Sequence, residues 1–233
     1  ASDFVLSGTV SNYLPRFFGQ DVRLQGRLQL QSEQLDLDDW LQEEEGNASD
    51  GSEDRFAYHL PDRVAFDVRA DIGRIGVAQF KAQNVNGRLR LQDKKMKLDR
   101  LEMDALNGRM VVMGEVEAVR EELCRVRIDA EMADIDINQT FKTFDQLAAF
   151  ALVEENLFGA FSGNLHISGD MNQYLDLDPG SVLSYGDISL NNGRLVNFEP
   201  LEGLAGFVKL EDLRDIQFSD VSTSYRIEAT YFY

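Results

Sequence analysis

The chain has 233 residues and carries 23 Lys and Arg against 41 Asp and Glu, a formal net charge of −18. Such an acidic balance argues against nucleic acid, whose phosphates are held by displacing counterions with Lys and Arg, and against electrostatic docking on an anionic membrane face. Its 43% hydrophobic content is that of a folded chain, a single cysteine rules out an intrachain disulfide, and no apolar run approaches the roughly 18 residues that span a bilayer.

Alternation of period two begins at Asp21–Gln31. Val22, Leu24, Leu28 and Leu30 share one face there, and Arg23, Gln25, Arg27 and Gln29 the other. From Leu30 to Leu35 the apolar positions change parity, which a strand accommodates only through a bulge or turn. Leu35-Asp-Leu-Asp-Asp-Trp-Leu41 follows. The segment 43–54 differs in kind: it has six acids, no apolar residue larger than Ala, and Gly and Ser between. It lacks the ordered frame of a calcium loop and reads as a flexible acidic insertion. Alternation returns at 88–92 with Leu89 and Leu91, at 110–116, at 124–132 with Val126 and Ile128, and at 165–169 with Leu165 and Ile167. Three Asn-Gly pairs, at 86–87, 107–108 and 192–193, predict hairpin turns, because both residues accept positive φ. Between Met132 and Ile135 the parity changes a second time, and Arg125–Asn138 repeats the pattern of Arg27–Leu41. Two helices are expected. One covers 138–152, with Asn138 or Thr140 as its cap; the other covers 200–210, with Pro200 at its first position. Both read as covers for the end or apolar face of a sheet.

The fold class expected from this pattern is mostly β: an elongated, curved antiparallel sheet, either an open groove or two-layered, with a few short covering helices. The chain opens at Ala1 rather than Met and stops within an apparent strand, so it reads as one piece (1–233) of something longer, with possible sub-segments 1–140 and 141–233.

Catalytic constellations are not evident. His59 and His166 stand alone, and His166 falls on the wet side of its strand. No nucleophile elbow, Walker loop or dinucleotide glycine run occurs. Cys124 lies at an apolar position, where a thiol is inert packing. Three same-face acid pairs, Asp36 with Asp38, Asp134 with Asp136 and Asp176 with Asp178, have a spacing of roughly 7 Å that a glycosidase could use. Their recurrence in identical alternation fits solvent-facing residues better. No catalytic residue, cofactor or metal is assigned.

Gly159–Asp170, then Gly186-Asp-Ile-Ser-Leu-Asn-Asn-Gly-Arg-Leu-Val-Asn-Phe-Glu-Pro-Leu201, then Gly206–Ser219 together resemble the C-terminal region of the AsmA-like family, as in the large AsmA-family proteins of Bacteroidetes. Asp134–Phe141 and Leu35–Leu41 are similar to the same family, so the resemblance covers about residues 20–228. It implies kinship with TamB and the bridge-like lipid-transfer proteins and a non-enzymatic role. It also implies a periplasmic location, with tethering to the inner membrane by an N-terminal segment missing from this chain. In such proteins a curved β-sheet with an apolar concave face is thought to conduct phospholipid toward the outer membrane and so serve outer-membrane biogenesis. The C-terminal Tyr225–Tyr233 and the acidic insertion depart from the family pattern. Under this reading the candidate lipid-facing residues are Val22, Leu24, Leu28, Leu30, Leu89, Leu91, Val126, Ile128, Leu165 and Ile167, and the partners are phospholipid acyl chains and other envelope proteins. Parity alone leaves two arrangements open for these residues, an open groove or an ordinary sandwich core. The alternative function is a scaffolding periplasmic domain that assists outer-membrane protein assembly through its strand edges without carrying lipid.

Overall fold

A computed structural model describes residues 2–13, 22–38, 59–120, 122–144, 156–174, 176–198 and 214–228. Ten strands make up nearly all of it: β1 (Val5–Ser11), β2 (Leu24–Asp36), β3 (Val64–Val77), β4 (Phe80–Gln92), β5 (Lys95–Ala105), β6 (Gly108–Arg120), β7 (Leu123–Asp136), β8 (Leu157–Asn172), β9 (Leu183–Val196) and β10 (Asp215–Glu228). They form one open, curved sheet in strict chain order, β1 through β10. One short helix, α1 (Ile137–Thr143), sits between β7 and β8, and a 3-10 turn (Pro179–Ser181) precedes β9.

Eight of the nine neighbouring pairs are antiparallel; β2 and β3 run parallel. The sheet is therefore mixed, where alternation alone had suggested an antiparallel one. Alternation reports which face a side chain takes and is blind to strand direction. A parallel neighbour needs a crossover of a dozen or more residues, and residues 37–63 supply that length. The acidic insertion 43–54 lies in that connection, outside the described residues.

Asn107-Gly108 forms a turn as expected: Leu106 (φ 52°) and Asn107 (φ 62°) are the two loop residues between Ala105 and Gly108. Two positive φ values in succession match the right-handed twist of the flanking strands. The other two Asn-Gly pairs are not turns. Asn86-Gly87 lies inside β4, where the Leu101 side chain occupies the space that a Cβ on Gly87 would take. Asn192-Gly193 lies inside β9, where Asn192 (φ 51°) makes a bulge. The left-handed tolerance of Asn serves a bulge as well as a turn. Two further tight hairpins use Ala78-Gln79 and Asp93-Lys94, with Ala78, Asp93 and Lys94 all at positive φ.

Both expected parity changes are present. In β7 the ladder with β8 skips between Met132 and Ile135, across Asp134 at φ 55°. In β2 the apolar face passes from Ser32 to Leu35, and β3 makes the same step from Ile72 to Ile75. Because the two strands skip together, their register survives while both sets of side chains change face. β4 repeats the step from Ala82 to Val85 across Asn84 (φ 52°), and β5 from Leu98 to Leu101. Residues at and beyond the steps in β2 to β5 gather in the best-buried cluster: Leu35, Ile72, Ala82, Val85, Met103 and Ala105.

Helix α1 starts one residue before the expected segment. Its cap is Asp136, whose carboxylate accepts the Gln139 N–H at 2.9 Å, so neither Asn138 nor Thr140 serves. An ionised Asp suits this position because it meets free N–H groups at the positive end of the helix dipole. Phe144, just past the helix, stacks on Phe80 with ring centroids 6.0 Å apart. The rest of the expected helix, residues 145–152, and the whole helix expected over 200–210 lie outside the described residues.

Candidate apolar binding face

Cross-strand register joins the apolar positions into rows that run the full width of the sheet. One row is Leu6, Leu30, Ala70, Gly87, Leu101, Val112, Ala130, Leu165, Gly186 and Tyr225; each is paired directly with the next. A second is Gly8, Leu28, Val68, Leu89, Leu98, Gly114, Ile128, Ile167, Ser184 and Ile227. A flanking row carries Phe66, Leu91, Met96, Val116, Val126 and Gly169. Ten strands spaced ~4.8 Å apart make this face roughly 43 Å wide.

Most of these side chains are half-buried. The most deeply buried residues, Ile135 (0% exposed), Ala82 and Val85, lie toward the end where the bulges and α1 are; Val64, Val126 and Ala130 are buried as well. Among the described residues no second layer packs on the face. Glycine contributes to its texture. A Cβ on Gly26 would stand 2.6 Å from the Phe66 ring, and one on Gly193 would stand 1.9 Å from the ring of Phe218. The rings occupy the space above bare backbone that a side chain would otherwise fill.

The opposite face is charged and paired across strands. Asp67 accepts two hydrogen bonds from Arg88, Nε at 2.8 Å and Nη2 at 2.5 Å, and this holds its carboxyl below the usual range. Lys95 and Arg127 converge on Glu115, each at 3.1 Å. Arg100 and Arg109 hold Glu102 and lower its pKa, and Arg194 grips Asp215 through two bonds of 2.7 Å with the same effect. Asp129, His166, Tyr185 and Arg226 stand in one register row across β7 to β10. His166 Nδ1 lies 2.7 Å from Asp129, and its ring stacks on Tyr185 at 4.6 Å. These exposed pairs contribute little stability each, but together they fix this side of the sheet as the one that faces water.

Of the paired carboxylates, Asp36, Asp38, Asp136 and Asp178 accept backbone N–H groups, while Asp134 meets the Ser162 hydroxyl and Asp176 the Asn172 amide. Asp36 accepts the Asp38 N–H, and Asp38 accepts the Ala78 N–H. Asp134 occupies the β7 bulge and Asp136 caps α1. The Asp176 N–H is bound by the Asn172 side chain, and Asp178 caps the 3-10 turn through Gly180 N–H. Cys124 is buried, and desolvation pushes its thiol pKa up. The described residues contain no group of three or more His, Cys, Asp or Glu placed to hold a metal. Their open depressions are polar or mixed, one of them framed by Lys81, Asp104, Arg109 and Asp134 beside α1.

Nine of the candidate apolar residues named from sequence fall in strands, and the register places all nine on this one face: Leu24, Leu28, Leu30, Leu89, Leu91, Val126, Ile128, Leu165 and Ile167. Val22 precedes β2 and is half-buried. The same face includes residues the sequence reading passed over: Val64, Phe66, Val68, Ala70 and Ile72 of β3, Leu98 and Leu101 of β5, and Ile188 and Leu190 of β9. The β3 set was readable as plain alternation. In β5 the parity step between Leu98 and Leu101 breaks the pattern, and only pairing with β6 restores it.

Comparison with family models, with curated proteins and with solved structures finds no match to this chain. Function is therefore argued from the sheet itself.

Proposed function

We propose that this chain is a segment of a non-enzymatic, AsmA-like lipid-transfer protein, and that its apolar face carries phospholipid acyl chains while head groups stay in water. The observation that supports this reading is a face of predominantly apolar side chains and glycines that crosses all ten strands. Contiguous apolar surface of this kind marks a binding face more often than scattered surface residues do. Acyl chains suit it because burial yields about 0.8 kcal/mol per methylene without directional contacts. Association itself costs ~4–15 kcal/mol, so a lipid held here lies across several strands and buries on the order of ten methylenes or more. The ion-paired opposite face supports the same orientation, since it is already satisfied in water. This reading places the chain in the periplasm, tethered to the inner membrane by a segment beyond this sequence and serving outer-membrane biogenesis.

The test is extraction of the purified protein and measurement of phospholipid by mass spectrometry, in the wild type and in Ile128→Asp/Leu165→Asp. These neighbours lie at mid-face, and β7 and β8 pair Ile128 with Ile167 and Ala130 with Leu165. The expectation is bound lipid in the wild type, and at least a several-fold loss in a variant whose circular dichroism is unchanged. Equal lipid in both, or none in the wild type, overturns the reading. Among the described residues no strand pairs with the outer side of β1 or β10, which supports a second reading, a scaffold that adds strands of envelope proteins without lipid. A lipid-free protein would direct attention to that one.

A further inference from the structure

On most of the charged face the register sets opposite signs together. Lys97 meets Glu115, Glu115 meets Arg127, Glu117 meets Arg125, and Arg125 meets Asp170. Among the described strands, like charges stand directly opposite in three pairs: Arg69 with Arg88, Arg88 with Arg100, and Arg90 with Lys97. All three are cation on cation in the adjoining strands β3 to β5, although the chain holds 41 acids against 23 bases. Such a composition favours acid against acid, yet no directly opposed pair of acids occurs among the described strands. Like charges directly opposite destabilise a sheet, so a cationic cluster kept here points to an anion that offsets the repulsion.

Three of these cations are already held: Arg88 by Asp67, Arg90 by Asp99 and Arg100 by Glu102. Arg69 is not, nor is Arg27 on β2. Both are exposed, and among the described residues neither side chain has an ion pair or hydrogen bond. They act on Asp67 only through space, beside the stronger hold of Arg88. Arg27, Arg69 and Arg88 line one open depression, with Ser7, Thr9 and Gln29 beside them. We propose that this depression binds a phosphate monoester. One Arg fork satisfies a carboxylate, as Arg88 does for Asp67 and Arg194 for Asp215, so a carboxylate ligand leaves further guanidiniums unmatched. A phosphate monoester carries about −1.5 to −2 charge and three strong acceptor oxygens. Three arginines less the charge of Asp67 leave two positive charges to meet it, and the Ser7 and Thr9 hydroxyls supply further donors. An anionic bilayer fits less well: Asp71 borders the cluster along the strands, and Glu102 and Glu115 border it across them, so an extended anionic surface is repelled.

The test is isothermal titration of the whole chain, at constant ionic strength, with inorganic phosphate, glucose 6-phosphate, dimethyl phosphate and acetate. The expectation is one saturable site for the first two, and binding at least about ten-fold weaker for the singly charged diester and for acetate. Inorganic phosphate at about ten times its dissociation constant is expected to raise the melting temperature by about 3–5 °C. Arg27→Gln/Arg69→Gln is expected to weaken phosphate at least about ten-fold while circular dichroism stays unchanged. Its melting temperature without phosphate is expected not to fall, because repulsion is removed. Arg125→Gln/Arg127→Gln makes the same change of charge in rows of opposite sign several strands away, and is expected to keep the affinity within about two-fold. A wild type with no saturable site overturns the proposal, as do acetate or dimethyl phosphate bound as tightly as phosphate, and Arg27→Gln/Arg69→Gln that binds normally. Inorganic phosphate bound to the exclusion of glucose 6-phosphate makes the ligand the free ion and overturns it too. So does binding that appears only once residues 43–54 are deleted, since the chain's own carboxylates are then the occupant. No lipid enters these measurements, so this site and the lipid reading stand or fall apart.

Discussion

An open apolar face and a closed core respond differently to the same truncation, and two isoleucines in β7 make the comparison within one strand. Ile135 is fully buried beside the β7 bulge, one residue before the Asp136 cap of α1. Replacing it with Ala removes three carbons from a filled site. At about 0.8 kcal/mol per methylene that is ~2.4 kcal/mol of transfer energy, and the cavity left behind brings the cost into the ~2–5 kcal/mol range. Ile128 sits seven residues earlier on the apolar face and is only half-buried. Part of its surface is already wet, no enclosed cavity results, and Ile128→Ala in lipid-free protein is expected to cost about 1 kcal/mol. Urea titration followed by circular dichroism, with the m-value held common, reads both differences. Adding phospholipid above its binding threshold should then widen the Ile128 gap and leave the Ile135 gap unchanged, because only the former residue touches the ligand. Equal costs for the two substitutions in lipid-free protein would mean that the face is a closed core, and the argument for an acyl-chain surface would fall with it.

Other expectations follow from single residues. Asp67 has a folded pKa below its ordinary value because Arg88 bonds it, so the stability it contributes is present above about pH 4 and is lost as pH falls through the folded value. Asp67→Asn should therefore lose less melting temperature than the wild type between pH 6 and pH 3; an identical loss would remove Asp67 from the acid response. Asp134 needs φ 55°, so Asp134→Gly should be nearly neutral and Asp134→Val should cost about 1–2 kcal/mol in urea titration; equal stabilities would mean that the bulge relaxes. Asp136→Ala removes the cap of α1 and should cost ~0.5–2 kcal/mol on the same assay. Cys124, buried and with a raised pKa, should react with a thiol reagent at least about ten-fold more slowly in native than in urea-unfolded protein; equal rates would show that the strand opens there.

The sequence by itself determined the strand character and the two-sidedness of the molecule. Alternation is a property of each strand alone, so Leu28, Leu89, Ile128 and Ile167 could be assigned to one face without knowing their neighbours. The parity steps at Leu30–Leu35 and Met132–Ile135 were legible for the same reason. Turn chemistry was only partly local: Asn107-Gly108 turns, while Asn192-Gly193 bulges, because a positive φ satisfies both and the surrounding pairing chooses. Only the tertiary structure decided that β2 and β3 run parallel, that the apolar residues of ten strands line up in rows, and that most of these side chains stay half-exposed. Direction, register and cover are relations between strands distant in sequence, held by backbone hydrogen bonds that every residue type can make. No side chain within a single strand records them.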